Sequence, residues 1–496
     1  MKKFFIPLFF LTASSAAFAA PDFNYETNVQ KNLLTVEQAQ PSPDVGWRVF
    51  FSSGGSQITS AASSDGGITF SMESGVRIAT GPVIDVSSIT AFGMNFDPKL
   101  SFSTYTAGNY RGYYVAVSSS GFYSILSALS HDQLAWTKDY TGPMIQLNKG
   151  SSFLNSPRPH LRADGLTLLY FVGDSAGRGN PGDYRIYYSS STDHGSTFGT
   201  PDLLLNTTAY SIAVSTLTDG RIRMYASAPL ANGTGGTTAS TIISAVSGAQ
   251  AAGISFAQEP GVRLSTSAAN WKFSSLAVAR SSDTYGWRLY TGLTRGASTY
   301  IWSAVANVPA PAGIDPNLVY QGDAADSITV AGEIFSVGTP SIALTNGSYS
   351  IPLAGAVTRL SDLALRATID LSSAPVGAYS LTVANADGRT ATLAGALYVD
   401  YKAGIVKVTD NLFRPLKGGR CRFDITAFNS GPLSLRAYTI NGQPVRKIFE
   451  GDILSGTTTV YWPGDTDSGQ TAASGLYFVT VNGPKIDDIE KVVVIK

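Results

Sequence analysis

Six residues in the first three hundred positions have side chains suited to chemistry: Asp97, Arg158, His160, Tyr210, Trp271 and Lys272. A carboxyl such as Asp97 can act as general acid or base in glycoside cleavage, a reaction that needs a second carboxyl across the scissile bond. Arg158 stands between Pro157 and Pro159, which stiffen an extended backbone and ready a guanidinium to clamp a carboxylate or a pair of hydroxyls. Trp271 offers a face to a sugar ring or fills a gap between sheets, and Lys272 sets a cation beside it. Tyr210 and His160 complete the set of expected substrate-binding groups, although His160 alternates into a strand where packing competes with a ligand role. Asp97 precedes Pro98, so closing a turn competes with catalysis there too. No spacing of His, Cys and carboxylates suggests zinc, and Asp465-Thr466-Asp467-Ser468-Gly469 lacks the remaining ligands of a calcium loop. Neither a metal nor a cofactor is expected.

These residues can meet only if a repeat architecture brings distant segments together. An aromatic-Arg-x-aromatic pattern occurs as Trp47-Arg48-Val49-Phe50, Tyr110-Arg111-Gly112-Tyr113, Arg223-Met224-Tyr225 and Trp287-Arg288-Leu289-Tyr290, with Leu168-Leu169-Tyr170 as a weaker copy. Successive copies lie about 55 to 65 residues apart, too irregular for a solenoid but suited to one four-stranded sheet per repeat. A second pattern follows each first one: Ile58-Thr59-Ser60-Ala61, Ile125-Leu126-Ser127-Ala128, Ile186-Tyr187-Tyr188-Ser189, Ile242-Ile243-Ser244-Ala245 and Ile301-Trp302-Ser303-Ala304. Three copies run on into Ser-x-Asp turns built around Asp65, Asp132 and Asp193, and a fourth, Gly253-Ile254-Ser255-Phe256, has lost its Asp. In such a turn the Asp accepts backbone N–H bonds, Gly supplies a positive φ, and the closing aromatic plugs the space between sheets. His131 and His194 fall inside these turns, where they are expected as solvent-facing spacers.

At Ser63 to Phe70 and Ser191 to Phe198 the turns resemble the Ser-x-Asp-x-Gly-x-Thr-Trp/Phe motif of sialidase-type, Asp-box β-propellers, a resemblance covering residues 30–320. It implies a five-bladed propeller, with Asp65, Asp132 and Asp193 as structural Asp-box residues far from any active site. Inner strands are expected at 33–38, 96–102, 156–161, 210–214 and 273–278, and the substrate site at the starts of these strands. Five-bladed arabinanase-like hydrolases carry acidic residues on three inner strands, including a Glu general acid. This sequence offers Ser, Arg and Phe in blades three to five and only Glu37 near an inner strand. Glu73 and Glu259 each lie three residues beyond a blade aromatic and lead into Gly-Val-Arg, which marks them as structural. True sialidases use an Arg trio and a Tyr/Glu pair; Arg158 and Asp97 could fill one Arg and the Asp role, so both stand as the catalytic candidates.

Composition sets the wider frame. Lys plus Arg equals Asp plus Glu at 35 each, so no net field gathers nucleic acid or an anionic membrane. Charged residues are 14%, against about 25% in ordinary globular chains, while aromatics and glycines abound, a balance suited to an all-β fold. Residues 1–19, with Lys2-Lys3, an apolar run and Ala17-Phe18-Ala19, read as a secretory leader. No later apolar run reaches the ~18–20 residues of a spanning helix. Cys421 is the only cysteine, so an exported chain must manage without intrachain disulfides.

Beyond the repeats, 325–400 ends in Gly377-Ala378-Tyr379-Ser380-Leu381-Thr382-Val383 and Asn385-Ala386-Asp387-Gly388, which resembles the closing hairpin of IPT/TIG immunoglobulin-like modules. Residues 402–496 contain Asn441-Gly442, Trp462-Pro463-Gly464-Asp465 and Ser474-Gly475-Leu476-Tyr477, and resemble the Ig-like module of the flagellar hook-capping protein. Related C-terminal modules on exported proteins of diderm bacteria imply sorting or surface attachment through export machinery. The expectation is therefore a five-bladed β-propeller followed by two Ig-like β-sandwich domains, secreted or held at the cell surface. It acts on or binds an extracellular glycan or glycoprotein; the alternative is a non-catalytic adhesin or envelope protein.

Overall fold

The computed structural model describes residues 22–496 except 32–37, 43, 82–84, 103, 106–107, 140–144, 148–152, 175, 218–219, 232–236, 249–252, 267–271, 281–285, 296–297, 324–325, 336–337 and 348. The fold is all-β. Five antiparallel sheets form the blades of a propeller, the first four built from the inside outward in chain order. Blade one contains Gln38–Ser42, Gly46–Ser53, Gln57–Ser63 and the short outer strands Ser71–Met72 and Ile78–Ala79. Blade two contains Ser88–Asp97, Asn109–Val117, Tyr123–Ser130 and Thr137–Asp139, and blade three Leu154–Leu161, Thr167–Asp174, Tyr184–Ser191 and Asp202–Leu205. Blade four contains Ile212–Thr216, Ile222–Ala231, Thr237–Ser247, Phe256–Gln258 and Leu264–Ser265. Blade five takes Lys272–Arg280, Trp287–Arg295 and Ser298–Ala306 from its own segment and its outermost strand, Asn24–Lys31, from the other end of the chain. The five inner strands neighbour one another in a closed circle, blade five returning to blade one. The inner strand of blade two thus lies eight residues earlier than the 96–102 expected from sequence.

The repeated residues have identifiable work. In four blades the Arg of the second strand reaches a carboxylate on or just past an outer strand, and in blades one, two and five a Ser of the third strand bonds the same group. Arg48 pairs with Glu73 at 2.8 Å and Ser60 Oγ donates to Glu73 at 2.6 Å. Arg111 pairs with Asp139 at 2.8 Å beside Ser127, and Arg223 with Glu259 at 2.7 Å. Arg288 pairs with Glu26 at 2.6 Å, and Ser303 Oγ donates to the same carboxylate. These arginines are almost wholly buried, so a hydrogen-bonded partner is required.

Between blades, the motif aromatic of one packs edge-on against the hairpin aromatic of the next: Tyr290 on Phe70, Phe50 on Trp136, Tyr113 on Phe198 and Tyr170 on Phe256. Three of these tyrosines also donate their hydroxyls to a glycine carbonyl in the same turn, Tyr290 to Gly67 (2.8 Å), Tyr170 to Gly253 (2.7 Å) and Tyr113 to Gly195 (3.4 Å). Those glycines are obligatory. A Cβ on Gly67 would lie 2.0 Å from the Tyr290 hydroxyl and one on Gly195 1.9 Å from that of Tyr113, and both residues have φ near +80°.

Two sandwiches follow. In the first, Ala310–Asp315, Asp326–Glu333, Ala364–Ile369 and Thr358–Arg359 face a sheet of Leu318–Tyr320, Thr390–Asp400, Gly377–Ala384, Ser341–Asn346 and Tyr349–Ser350. Val330, Leu365, Tyr379, Leu381 and Leu397 fill the space between them. The boundary expected at 325 therefore falls inside this unit, because residues 310–315 form one of its strands. In the second sandwich, Ile405–Thr409, Cys421–Ala427 and Gly456–Trp462 face a sheet led by Gly431–Thr439, Gly475–Gly483 and Ile486–Val494. Cys421 and Trp462 are fully buried there, the indole N–H donating to Asp465 O at 2.9 Å.

The first sandwich is seated on blades four and five. Glu333 accepts from Arg223 Nη1 at 2.6 Å with both side chains buried, Asp362 pairs with Arg280, and Ile334 joins the core of blade five. All these contacts lie at the end of the propeller that carries the Ser-x-Asp turns.

Candidate functional site

A propeller has two ends and an axis, and the six candidate residues divide among them. Asp97 closes the inner strand of blade two at the Ser-x-Asp end. It is 2% exposed; its Oδ1 accepts the Lys99 N–H at 2.8 Å, and its Oδ2 lies 2.8 Å from His194 Nδ1 in the turn of blade three. It is a tie between blades. His194, expected as a solvent-facing spacer, is the other half of that tie, and His131 stacks on Tyr105 with ring centres 3.8 Å apart. His160 also lies toward this end, half-buried with Nδ1 3.4 Å from Thr216 Oγ1. Burial, assisted by the charge of Arg162, pushes its imidazole down to about 4.

Arg158 occupies the axis. Its guanidinium donates to Ile212 O (2.9 Å), Phe92 O (2.7 Å), Leu276 O (2.9 Å) and Pro157 O (3.1 Å), carbonyls drawn from the inner strands of four blades. The expected clamp for a carboxylate or hydroxyl pair is thus turned on the protein's own backbone. Blade packing is tight at this level: a Cβ on Gly93 would sit 1.8 Å from Pro157 O. Ser156 Oγ and Ser211 Oγ share a hydrogen bond at 2.8 Å, and Ser211 Oγ also accepts the Leu276 N–H at 3.1 Å.

Tyr210 and Lys272 lie at the opposite, open end, where the inner strands of blades four and five begin. Trp271 and Glu37 fall outside the described residues. The six therefore form no single cluster: Asp97 and His160 are separated from Tyr210 and Lys272 by the length of an inner strand. The error came from placing the inner strand of blade two late, which moved Asp97 from its end to its start.

Beyond Tyr210, sequence reasoning missed an aromatic row at the open end. Tyr123, Phe153, Tyr184 and Tyr210 run across blades two, three and four; Phe153 stacks on Tyr184 at 3.9 Å, flanked by Tyr123 and Tyr210 each at 6.1 Å. Phe122 beside them is 50% exposed. Each of the four stands at or next to the start of an inner or third strand, a positional signal present in the repeats. Asp174, nearby, is consumed by its own loop, accepting the N–H groups of Ala176 and Gly179.

Carboxylates are scarce where glycoside chemistry would need them. Among the described residues of the five inner strands, Asp97 alone bears one. Asp65, Asp132 and Asp193 hold their turns as expected: Asp65 accepts the Thr69 N–H (2.9 Å) and hydroxyl (2.6 Å), and Asp193 the same pair from Thr197. Burial opposes ionisation of Asp65 and Asp193, yet these hydrogen bonds outweigh it and hold each at about 2. No group of three or more His, Cys, Asp or Glu among the described residues is arranged to hold a metal ion.

No family model matches the chain, and no curated protein matches it. Among solved structures, it is similar to a thermostable family-43 glycoside hydrolase, with TM-score 0.43 and 14% identity over 57% of this chain and 92% of that one. An endo-arabinase from Bacteroides thetaiotaomicron VPI-5482 gives TM-score 0.43 and 13% identity over 58% and 96%. A mutant of the alpha-L-arabinofuranosidase arb93a from Fusarium graminearum, in complex with an iminosugar inhibitor, gives 0.37 and 12% over 72% and 98%.

Proposed function

We propose that this chain is an exported, non-hydrolytic glycan-binding protein whose propeller is carried on two sandwiches. The observation that carries the reading is the state of the axis. Among the described residues, the one inner-strand carboxylate, Asp97, is tied to His194, and the central cation, Arg158, is caged by four main-chain carbonyls. Two-carboxylate hydrolysis needs a protonated acid and an ionised partner facing one bond, and the other blade carboxylates described above neutralise arginines or close turns. At the open end the half-buried Tyr123, Phe153 and Tyr210, with the exposed Phe122, suit stacking against the apolar faces of sugar rings, and a chain of zero net charge suits neutral glycans better than polyanions. Residues 1–19 act as the secretory leader, and the C-terminal sandwich acts as a sorting or attachment module.

The test pairs a glycan array with a broad panel of glycoside and polysaccharide substrates. Binding without sugar release, lost in Tyr210→Ala and kept in Asp97→Asn, is the expected result. Sugar release that disappears in Asp97→Asn or Arg158→Lys overturns the proposal.

A further inference from the structure

The tip of the second sandwich carries a turn that neither the core nor the propeller uses. Strand Ile486–Val494 begins beside the first sandwich, where Lys485 pairs with Asp400 at 2.8 Å, and runs nine residues away from that joint. At about 3.3 Å per residue, it sets the tip roughly 27 Å from the joint. There Val493 and Val494 pair in parallel with Leu412 and Phe413, and the chain turns back through 414–419.

This turn is firmly built. Phe413 is buried with its ring 6.0 Å from that of Trp462. Arg414 O accepts the N–H groups of Lys417 (3.1 Å) and Gly419 (3.0 Å), Pro415 O accepts that of Gly418 (3.0 Å), and Gly418 takes φ +75°. Pro415 packs on the loop after Trp462 so closely that a Cβ on Gly464 would lie 2.5 Å from its ring. What the frame displays is apolar and cationic. Leu412 is 60% exposed and Leu416 69%. From Asn411 to Phe423 the chain carries Arg414, Lys417, Arg420 and Arg422 and no carboxylate. Arg422 pairs with Asp424 at 2.9 Å; among the described residues the other three pair with no carboxylate, and Arg420 lies over the exposed ring of Tyr461 at 3.9 Å. Single exposed leucines are ordinary on any surface, but two on one fixed turn beside three unneutralised cations need a partner that is apolar and anionic at once.

We propose that this tip seats the protein on a bilayer surface with anionic headgroups. Leu412 and Leu416 enter the boundary between headgroups and acyl chains, while Arg414, Lys417 and Arg420 meet headgroup phosphates. Charge complementarity selects this occupant, because leucines alone would suit any hydrophobic face. The neutrality of the whole chain does not oppose it, since at ~0.1 M salt screening confines the field of exposed charges to about 10 Å and only the local cations count. The inference rests on the attachment role proposed for this sandwich, to which it gives a partner, and it is independent of the glycan reading.

The experiment floats the purified full chain with vesicles of phosphatidylcholine, either pure or with one-third phosphatidylglycerol. Residues 1–19 are common to every variant, so differences between variants report the tip. Capture on the anionic vesicles is expected, and the triple variant Arg414→Gln, Lys417→Gln, Arg420→Gln is expected to weaken it about a hundredfold, about fivefold for each cation. Leu412→Ser with Leu416→Ser should weaken capture in high salt as well, whereas Lys447→Gln in strand Pro444–Ile453 should leave it unchanged. Equal melting temperatures show that the variants fold; should the leucine pair lower its own, the cation variant decides. Absence of capture, equal capture on both vesicles, or capture undiminished in the cation variant overturns the proposal. Release by millimolar inorganic phosphate also overturns it, in favour of a discrete phosphate site. Cell fractionation separates the two readings: a chain held at the surface through this sandwich yet ignored by vesicles refutes the lipid partner alone, and a chain never held there removes the attachment role and this inference with it.

Discussion

The contact between Tyr290 and Gly67 closes the ring between blades five and one, and it yields a quantitative test of why the turn needs glycine. Gly67→Ala forces an L-residue into φ +82°, costing about 1–2 kcal/mol. It also sets a methyl 2.0 Å from a hydroxyl that is wholly buried and cannot retreat, an overpacking worth about 1–3 kcal/mol. The sum is a loss of about 2–5 kcal/mol. Tyr290→Phe removes the 2.8 Å bond and leaves the Gly67 carbonyl without that donor, about 1–2 kcal/mol. In the double variant the methyl occupies the space the hydroxyl vacated, so the overpacking term disappears. The double loss should therefore be smaller than the sum of the single losses by about 1–3 kcal/mol. Urea midpoints of the propeller transition, followed by tryptophan fluorescence, measure it, because every tryptophan except Trp462 precedes the sandwiches. Losses that add to within about 0.5 kcal/mol would refute the steric argument.

Other outcomes follow from the same contacts. Arg223→Ala strands the buried carboxylates of Glu259 and Glu333 and should cost about 3–5 kcal/mol, whereas Glu333→Gln leaves a matched Arg223–Glu259 pair and should cost much less; calorimetry of both variants checks the order. Because the folded-state pKa of His160 is depressed to about 4, its neutral form supports the fold above about 6.5, and that support drains away as pH falls from there to about 4; His160→Gln should flatten the melting temperature across that range. Asp65 and Asp193, held at about 2, contribute stability above about 4 that is lost between about 4 and 2, so the double Asn variant should show a shallower acid transition by circular dichroism. Arg158→Met should lower the melting temperature by several degrees while leaving glycan binding at the open end intact, since the four carbonyls it satisfies lie on the axis.

Much of the fold was legible because the repeats are structural. In blades one, two and five the Arg of the first pattern and the Ser of the second meet on one carboxylate, and the Gly-Val-Arg echo after Glu73 and Glu259 marked both as structural. Strand order and blade number followed from that. The closing strand was not legible, because Asn24–Lys31 carries neither pattern and its partner lies far along the chain, although blade five's lack of a hairpin after Ala306 called for one. The site was less legible still. Residue type favoured Asp97 and Arg158, but what decides their role is which partner consumes them, and those partners are a histidine just past the third strand of another blade and carbonyls whose positions no side chain encodes. Apart from Tyr210, the aromatic row was overlooked because its members lie outside the two quoted patterns and its flanking contacts cross from blade to blade.

Blade two shows why the ring tolerates such unequal repeats. Its turn is one residue shorter, and Gln133, at φ +67°, donates its N–H to Ser130 Oγ at 2.9 Å as Gly67 does to Ser63 Oγ and Gly195 to Ser191 Oγ. A side chain is permitted there because the aromatic that packs on this hairpin is Phe50, which has no hydroxyl to approach the turn. Gln133 then bonds Gln40 and Arg48 of blade one, supplying a polar link between blades where the tyrosine would have done so. Loss of the glycine, loss of the hydroxyl and gain of the glutamine are one change spread over two blades. What the repeat preserves is therefore a satisfied and sterically open junction, and the turn glycine is kept at the three junctions made by a tyrosine hydroxyl.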